Sequence, residues 1–505
     1  MSEGVGDAAG HSGRGRDPVG WFGRGAGPLL ALAVYAALGY AEGLAPEGRV
    51  VAACGVLMAV FWMTEAMPLA ATSLLPLLLF PLFGTLSFAE AAAPYANKYI
   101  FLFLGGFMLA AAIERWDLHR RIALHTVLAA GTGPARLVGG FMVATALLSM
   151  WISNTATTML MLPIATSTIQ LLGSAQADSP GQGRTDRLAT CLLLGVAYAA
   201  SIGGIGTLVG TPPNAFLAGF LESHGMAIGF AQWMLLGVPL ATLLLAIAWW
   251  VLTRWLFRLE TSSVEGGRQL IGQQLAALGS MSRGEVIVLG VFLTTAAMWI
   301  GRGLLVRWDW FVGRFPAIGN LNDAMIALGA ALALFLIPVD RKRGIFALDW
   351  PSASHVPWGV LLLFGGGLSL AEAMTRSGLT EWIGGLVGQL GGLPQAALVV
   401  VTVGLVILLT EITSNLATTA ALVPILYGVA MGLDVQPMGL LVPAAIAASC
   451  AFMLPVATPP NAIVFGSGRV TIGQMVRAGI WLNVVGVVVI PVFVQLVGAW
   501  LLGAR

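Results

Sequence analysis

Long apolar runs dominate this chain, and polar residues interrupt them at a few recurring places. A membrane-crossing helix needs roughly 20 apolar residues. The pattern predicts such helices over 28–42, 49–66, 69–85, 98–115, 232–257, 283–303, 320–339, 358–376 and 473–503. Two runs, 135–172 and 394–430, are too long for one span and are broken by Ser153-Asn154 and by Ser414-Asn415. Two more, 187–222 and 438–468, are broken by Thr211-Pro212-Pro213-Asn214 and by Thr458-Pro459-Pro460-Asn461. A short amphipathic stretch at 117–132 is expected along the membrane surface, and 379–393 reads as a short amphipathic or loop stretch outside the spans. Residues 1–27 are rich in Gly and Arg and read as a disordered leader, with no convincing signal-peptide cleavage site.

The interruptions recur in the same order. Gly105-Gly106 is followed by Ser153-Asn154 and Thr211-Pro-Pro-Asn214; Gly365-Gly366 is followed by Ser414-Asn415 and Thr458-Pro-Pro-Asn461. The copies are offset by 260, 261 and 247 residues, so they stay nearly in register. Matched breaks in two hydrophobic halves are the sequence pointer to a transporter site. The expected organisation is a first helix plus repeat 1 over 28–257, a cytoplasmic linker over 258–282, and repeat 2 over 283–505. Each repeat carries a re-entrant hairpin (135–172, 394–430) and a broken helix (187–222, 438–468).

Charge fixes an orientation. If each Ser-Asn run enters and leaves on one side, about eleven spans remain, with the N-terminus inside and the C-terminus outside. Most of the 25 Lys and Arg residues then lie on the inner side, including Arg115, Arg120, Arg121, Arg254, Arg258 and Arg341-Lys342-Arg343. That agrees with the positive-inside rule. If both runs crossed instead, the clusters at 254–268 and 341–343 would face outward. The hairpin arrangement also gives the halves opposite orientations, the inverted-repeat architecture. The fold class is therefore an all-α polytopic membrane protein.

Composition agrees with this reading. Of the 505 residues 58% are hydrophobic and 10% charged, against about 25% charged in soluble domains. The net charge of +2 is spread over loops, so no nucleic-acid surface is indicated. Cys54, Cys191 and Cys450 lie in apolar segments without metal-ligand spacing and read as small buried hydrophobes. His11, His119, His125, His224 and His355 form no metal set. No Ser/His or acid pair suited to an enzyme occurs in the apolar region.

An amide without partners in hydrocarbon costs several kcal/mol, so Asn154 and Asn415 need ligands or hydrogen bonds. Non-helical backbone at membrane depth is tolerated where it lines a cavity or is packed in protein. At such a tip, Asn and hydroxyl oxygens and free carbonyls can converge on a hard cation such as sodium. No Lys, Arg or His occurs in 137–172, 199–216, 395–430 or 440–468. An anion bound there would be compensated by helix N-termini and by bound cations, which couples anion to sodium. Glu65, Glu114 and Glu372 sit near predicted span ends and read as interfacial. Glu411 adjoins the second motif and is open between a hydrogen-bonding and a coupling role.

Through Ser153-Asn154-Thr155, Ser414-Asn415, Gly203-Gly204-Ile-Gly206-Thr-Leu-Val-Gly-Thr-Pro-Pro-Asn214 and Pro455-Val-Ala-Thr-Pro-Pro-Asn461, the chain from about residue 28 onward resembles the divalent anion:sodium symporter family. These are INDY-type carriers of di- and tricarboxylates and sulfate. The resemblance implies a first sodium site on Ser149, Ser153, Asn154 and Gly206, and a second on Thr410, Thr413, Asn415 and Ala457. It implies a dianion held between the hairpin tips by Ser153, Asn154, Thr155, Ser414 and Asn415, with Thr211-Pro212 and Thr458-Pro459 opposite. It further implies a homodimer in a bacterial inner membrane that works by an elevator movement of a transport domain against a fixed scaffold. One position departs: where the family's second motif commonly ends in Thr, this chain has Leu416.

The expectation is a sodium-coupled importer of C4-dicarboxylates such as succinate, fumarate or malate. A sodium-independent exchanger, and a citrate or sulfate carrier of the same family, stay open from sequence. A channel would not require two matched occluding tips.

Overall fold

Helices make up almost the whole of the computed structural model, which describes residues 18–131, 133–174, 182–259, 267–389 and 394–498. Among the described residues the only strands are Pro338–Asp340 and Ile345–Phe346, a short antiparallel hairpin. Eight described helices are long and apolar enough to cross a membrane, or nine if the bent pair Phe88–Ala96 and Lys98–Arg115 is one span. One of the eight, Asn415–Gly432, is the second half of the run expected as a re-entrant hairpin. The other seven, Lys98–Arg115, the shorter Leu69–Leu82 and Asp323–Leu336, and the broken Pro437–Ala447/Pro459–Gly466 correspond to the predicted spans.

The first long interrupted run folds as Pro134–Ser149 and Asn154–Ser174, and the second as Gln395–Thr410 and Asn415–Gly432. Each outgoing arm has a proline inside it, Pro163 and Pro424, at equivalent positions. The other two runs fold as Gln182–Gly204 with Pro212–Ser223, and as Pro437–Ala447 with Pro459–Gly466. Proline lacks an N–H and fits the first turn of a helix, where that donor is unpaired anyway. Each Thr-Pro-Pro-Asn therefore ends the break and starts the second half-helix.

The two repeats interlock. The outgoing arm Asn154–Ser174 packs on Pro459–Gly466 of the other repeat, and Asn415–Gly432 packs on Pro212–Ser223. At the centre, Asp186–Gly204 is 94% buried, whereas the peripheral Arg283–Leu305 is 28% buried. The amphipathic stretches are helical, over Leu118–Ala130 and Leu379–Gln389, and each packs on an arm of its own hairpin. Residues 132 and 390–393 of those stretches lie outside the described residues, as do 499–503 of the last predicted span.

Two boundaries differ from expectation. The stretch 1–27 was expected as a disordered leader, but helix begins at Pro18 and runs to Ala37; residues 1–17 lie outside the described residues. The glycines that suggested disorder are a packing face. Gly20, Gly23 and Gly27 are buried, and a Cβ on Gly23 would lie 1.9 Å from Thr64 Oγ1 of the next helix. Arg24 Nε donates to Ala66 O at 2.8 Å, so the basic residue is also absorbed. The expected linker 258–282 contains a helix, Gly267–Ala277, packed on Leu118–Ala130; residues 260–266 are outside the described residues. Buried Arg121 bonds Glu285 through Nε at 2.6 Å and Gly279 O through Nη1 at 2.9 Å, which ties the linker's end to the amphipathic helix.

Candidate functional site

Each hairpin tip is closed by the same three oxygens. Ser149 ends the first incoming arm, and its Oγ lies 2.6 Å from Asn154 Oδ1 and 2.6 Å from Ala200 O. Thr410 ends the second, and its Oγ1 lies 2.8 Å from Asn415 Oδ1 and 2.8 Å from Ala448 O. Both hydroxyl residues are fully buried. A hydroxyl carries one proton, yet each faces two acceptors. The surplus lone pairs of a neutral hydroxyl, amide and carbonyl form a set suited to a hard monovalent cation. The helix ends add to this, because incoming arms and first half-helices present their carbonyl, electronegative termini there.

Gly204 supplies space at the first tip. A Cβ there would sit 2.8 Å from Asn154 Oδ1 and 3.1 Å from Gly210 O. The bare glycine thus leaves a cradle beside two oxygens. Gly206 is buried as well, but it packs under Met150, whose Cε lies 2.9 Å from where a Gly206 Cβ would be. The Gly206 carbonyl lies near Gly237.

The breaks themselves are tied by a second matched pair. Asn214 Nδ2 donates to Gly204 O at 3.1 Å and Thr207 O at 2.8 Å. Asn461 Nδ2 donates to Ala451 O at 3.2 Å and Leu454 O at 3.0 Å. The Oδ1 atoms of both asparagines are buried without a hydrogen-bond partner, and so are Ser201 Oγ and Ser449 Oγ. Buried polar atoms are nearly always paired. Two equivalent pairs of unpaired oxygens therefore mark the breaks as places with spare oxygen ligation.

Ser153 Oγ accepts from Ala156 N at 3.2 Å and so caps its helix, while Ser414 makes no side-chain cap. Ser153, Asn154, Thr155, Ser414 and Asn415 are all partly exposed at the tips. Thr413 is turned inward, with its Oγ1 donating to Leu409 O at 2.8 Å and lying 2.5 Å from Thr418 Oγ1. Its hydroxyl is therefore not joined to Asn415. Thr211 and Thr458 are buried at the N-cap positions of the second half-helices, where Thr458 Oγ1 accepts from Asn461 N at 3.4 Å and Thr211 makes no side-chain cap; Pro212 is half-buried and Pro459 exposed. Ala457 is buried, and its N–H donates to Leu454 O at 3.2 Å. Leu416 is buried in the first turn after Asn415, where Thr155 is half-buried in the other copy.

Four helices start at these elements: at Asn154, Pro212, Asn415 and Pro459. Each helix N-terminus presents roughly half a positive charge and unpaired N–H groups. Anion attraction is thus available in a region whose segments 137–172, 199–216, 395–430 and 440–468 have no cationic side chain. Among the described residues no group of His, Cys, Asp and Glu suited to a transition metal is present.

Comparison with known proteins decides the family. A family model described as the sodium:sulfate symporter transmembrane region matches residues 25–504. The chain belongs to this family. It is 42% identical over 470 residues to the sodium-dependent dicarboxylate transporter SdcS of Staphylococcus saprophyticus, covering 93% of this chain and 89% of that protein. It is 41% identical over 481 residues to SdcS of Staphylococcus aureus strain RF122, covering 94% and 91%. Among solved structures it is similar in fold to MtrF of Neisseria gonorrhoeae (TM-score 0.55, 12% identity, 84% of each chain). The YdaH transporter of Alcanivorax borkumensis is also similar in fold (TM-score 0.52, 17% identity, 88% of this chain and 98% of that one).

The residues that sequence reading missed in this symporter are the backbone acceptors Ala200 and Ala448, the cradle at Gly204, the breaks' asparagines as ties, and the Ser201/Ser449 pair. Ser201 and Ser449 lie at nearly the same distance, 13 and 12 residues, before Asn214 and Asn461. That spacing was the available signal.

Proposed function

We propose that this chain is a sodium-coupled symporter that imports C4-dicarboxylates such as succinate, fumarate or malate. The observation that carries the reading is the doubled hydroxyl–amide–carbonyl set, Ser149/Asn154/Ala200 and Thr410/Asn415/Ala448. Two cation sites of this kind neutralise a dianion that has no Lys or Arg to meet it. The curated relatives, named sodium-dependent dicarboxylate transporters, support the same ion and substrate class.

In this reading sodium binds at the two tips and the dicarboxylate lies between them. Ser153, Asn154, Thr155, Ser414 and Asn415 donate to its carboxylates, helped by the helix starts at Thr211-Pro212 and Thr458-Pro459. Thr413 and Ala457 contribute to the second sodium site through backbone carbonyls, and Gly206 contributes likewise to the first. Hairpins, broken helices and the flanking Phe230–Trp250 and Ile472–Phe493 form a transport domain that moves as an elevator against a scaffold. The protein works as a homodimer in a bacterial inner membrane, N-terminus inside and C-terminus outside. The placement of Arg115, Arg120, Arg121 and Arg341-Lys342-Arg343 supports that orientation.

The test is uptake of radiolabelled succinate into proteoliposomes with sodium, lithium or potassium outside, competed by fumarate, malate, citrate and sulfate. Sodium-dependent uptake competed best by C4-dicarboxylates is expected. Equal uptake in potassium would reject sodium coupling, and dominance of citrate or sulfate would reject the substrate class.

A further inference from the structure

The two halves are matched at their tips but not behind them. Glu411 follows Thr410 directly and is 4% exposed. Its Oε1 accepts from Phe452 N at 2.7 Å, Met453 N at 2.9 Å and Asn483 Nδ2 at 2.6 Å. Its Oε2 accepts from Met453 N and Leu454 N, both at 3.1 Å. Every partner is a donor, the arrangement that an acceptor-only carboxylate satisfies. Three successive amides of the second break are thus turned onto one side chain, that of the residue next to Thr410 in the chain.

The first half has no such group. By register, Met150 stands where Glu411 stands, and it packs on Gly206, the counterpart of Met453. The last spans align through Gly237 and Gly479: a Cβ on either would press on a carbonyl of the break, Ile205 O at 2.6 Å and Phe452 O at 2.3 Å. In that register Asn483 corresponds to Ala241, which is also buried. A Met/Ala pair in one half is therefore a Glu/Asn pair in the other. The first break uses a neutral device instead, with Thr207 Oγ1 donating to Met150 O at 2.5 Å.

We propose that Glu411 makes the two cation sites unequal, so that the Thr410/Asn415 site holds sodium more tightly and fills first. Glu411 is a positioning residue: it fixes the turn 452–454 and places one negative charge beside the second site. This inference rests on the sodium-symport reading above.

The test compares wild type, Glu411→Gln and Asn483→Ala. Two quantities are read: the sodium dependence of succinate uptake in proteoliposomes, and the thermal stabilisation of purified protein by sodium chloride alone. Glu411→Gln is expected to raise the sodium half-saturation about tenfold or more in both, because the charge is lost at short range in a low-dielectric setting. The KM for succinate at saturating sodium should stay within about threefold, as should both sodium curves of Asn483→Ala, which keeps the charge. An unchanged sodium curve for Glu411→Gln overturns the inference, as does an equal shift in Asn483→Ala, which would mean that packing of the turn is what matters. If Glu411→Gln does not fold, sodium titrations of Ser149→Ala and Thr410→Ala decide. Loss of the tighter stabilisation in Thr410→Ala alone is expected, and equal losses or the reverse overturn the inference. Sodium-independent uptake by wild type would instead sink the symport reading itself.

Discussion

Asn154 Oδ1 and the space left by Gly204 meet: a methyl group on Gly204 would come within 2.8 Å of that amide oxygen. The contact joins the first hairpin tip to the first broken helix, two elements that must stay in register for one cation to touch both. Gly204→Ala is expected to push the amide off its position beside Ser149. Overpacking of this kind costs typically about 1–3 kcal/mol, and here it should appear as a weaker sodium dependence of uptake. The sodium half-saturation of the variant, with its thermal stability as control, checks this.

Leu416 and Thr155 occupy equivalent positions after the two motif asparagines, one apolar and buried, the other half-buried with a hydroxyl. A site loses discrimination where a hydrogen-bonding partner is absent. Leu416→Thr is expected to change the ranking of succinate, citrate and sulfate as competitors. An unchanged ranking in the competition assay would remove Leu416 from the specificity determinants.

Arg121 and Glu285 form a buried ion pair, with side-chain exposures of 10% and 7%. It clasps the amphipathic helix before the first hairpin to the span Arg283–Leu305. Removing one partner strands the other charge, at a cost of about 3–5 kcal/mol. Arg121→Met should therefore lower the melting temperature strongly. The double variant Arg121→Met/Glu285→Met should recover part of that loss, as a double-mutant cycle in detergent would record.

The repeated breaks were legible in the sequence because a polar or proline interruption in an apolar run has no cheap alternative. Ser153-Asn154, Ser414-Asn415 and both Thr-Pro-Pro-Asn segments lie at helix starts as the pattern required. Three things were hidden. The glycines at 20, 23 and 27 look like a flexible leader in composition, but spaced along one face they let two helices touch. Ala200 and Ala448 act through carbonyls, and a backbone acceptor leaves no mark on residue type. Glu411 and Asn483 are 72 residues apart in sequence, so only the fold reveals that the acid is paired.

Trp151, inside the first tip, stacks on Trp299 of the span Arg283–Leu305, with centroids 6.2 Å apart and planes 9° from parallel; Phe230 stacks beside them. In an elevator this contact lies between moving and fixed parts and must break in each cycle. Cysteines at 151 and 299, cross-linked by oxidation, should stop uptake, and a reductant should restore it. The native Cys54, Cys191 and Cys450 are buried and free, so they offer little background. Full transport by the cross-linked protein would contradict a sliding boundary there.

The matched oxygen sets are tested most directly by sodium-driven succinate uptake with Asn154→Ala and Asn415→Ala, each reconstituted and shown to fold by its size-exclusion profile. Each substitution removes one amide from one set only, Ser149/Asn154/Ala200 or Thr410/Asn415/Ala448. Uptake is expected to vanish in both variants while each remains a folded protein. Wild-type uptake in both, with wild-type sodium dependence, would contradict the account and return the two motifs to helix packing.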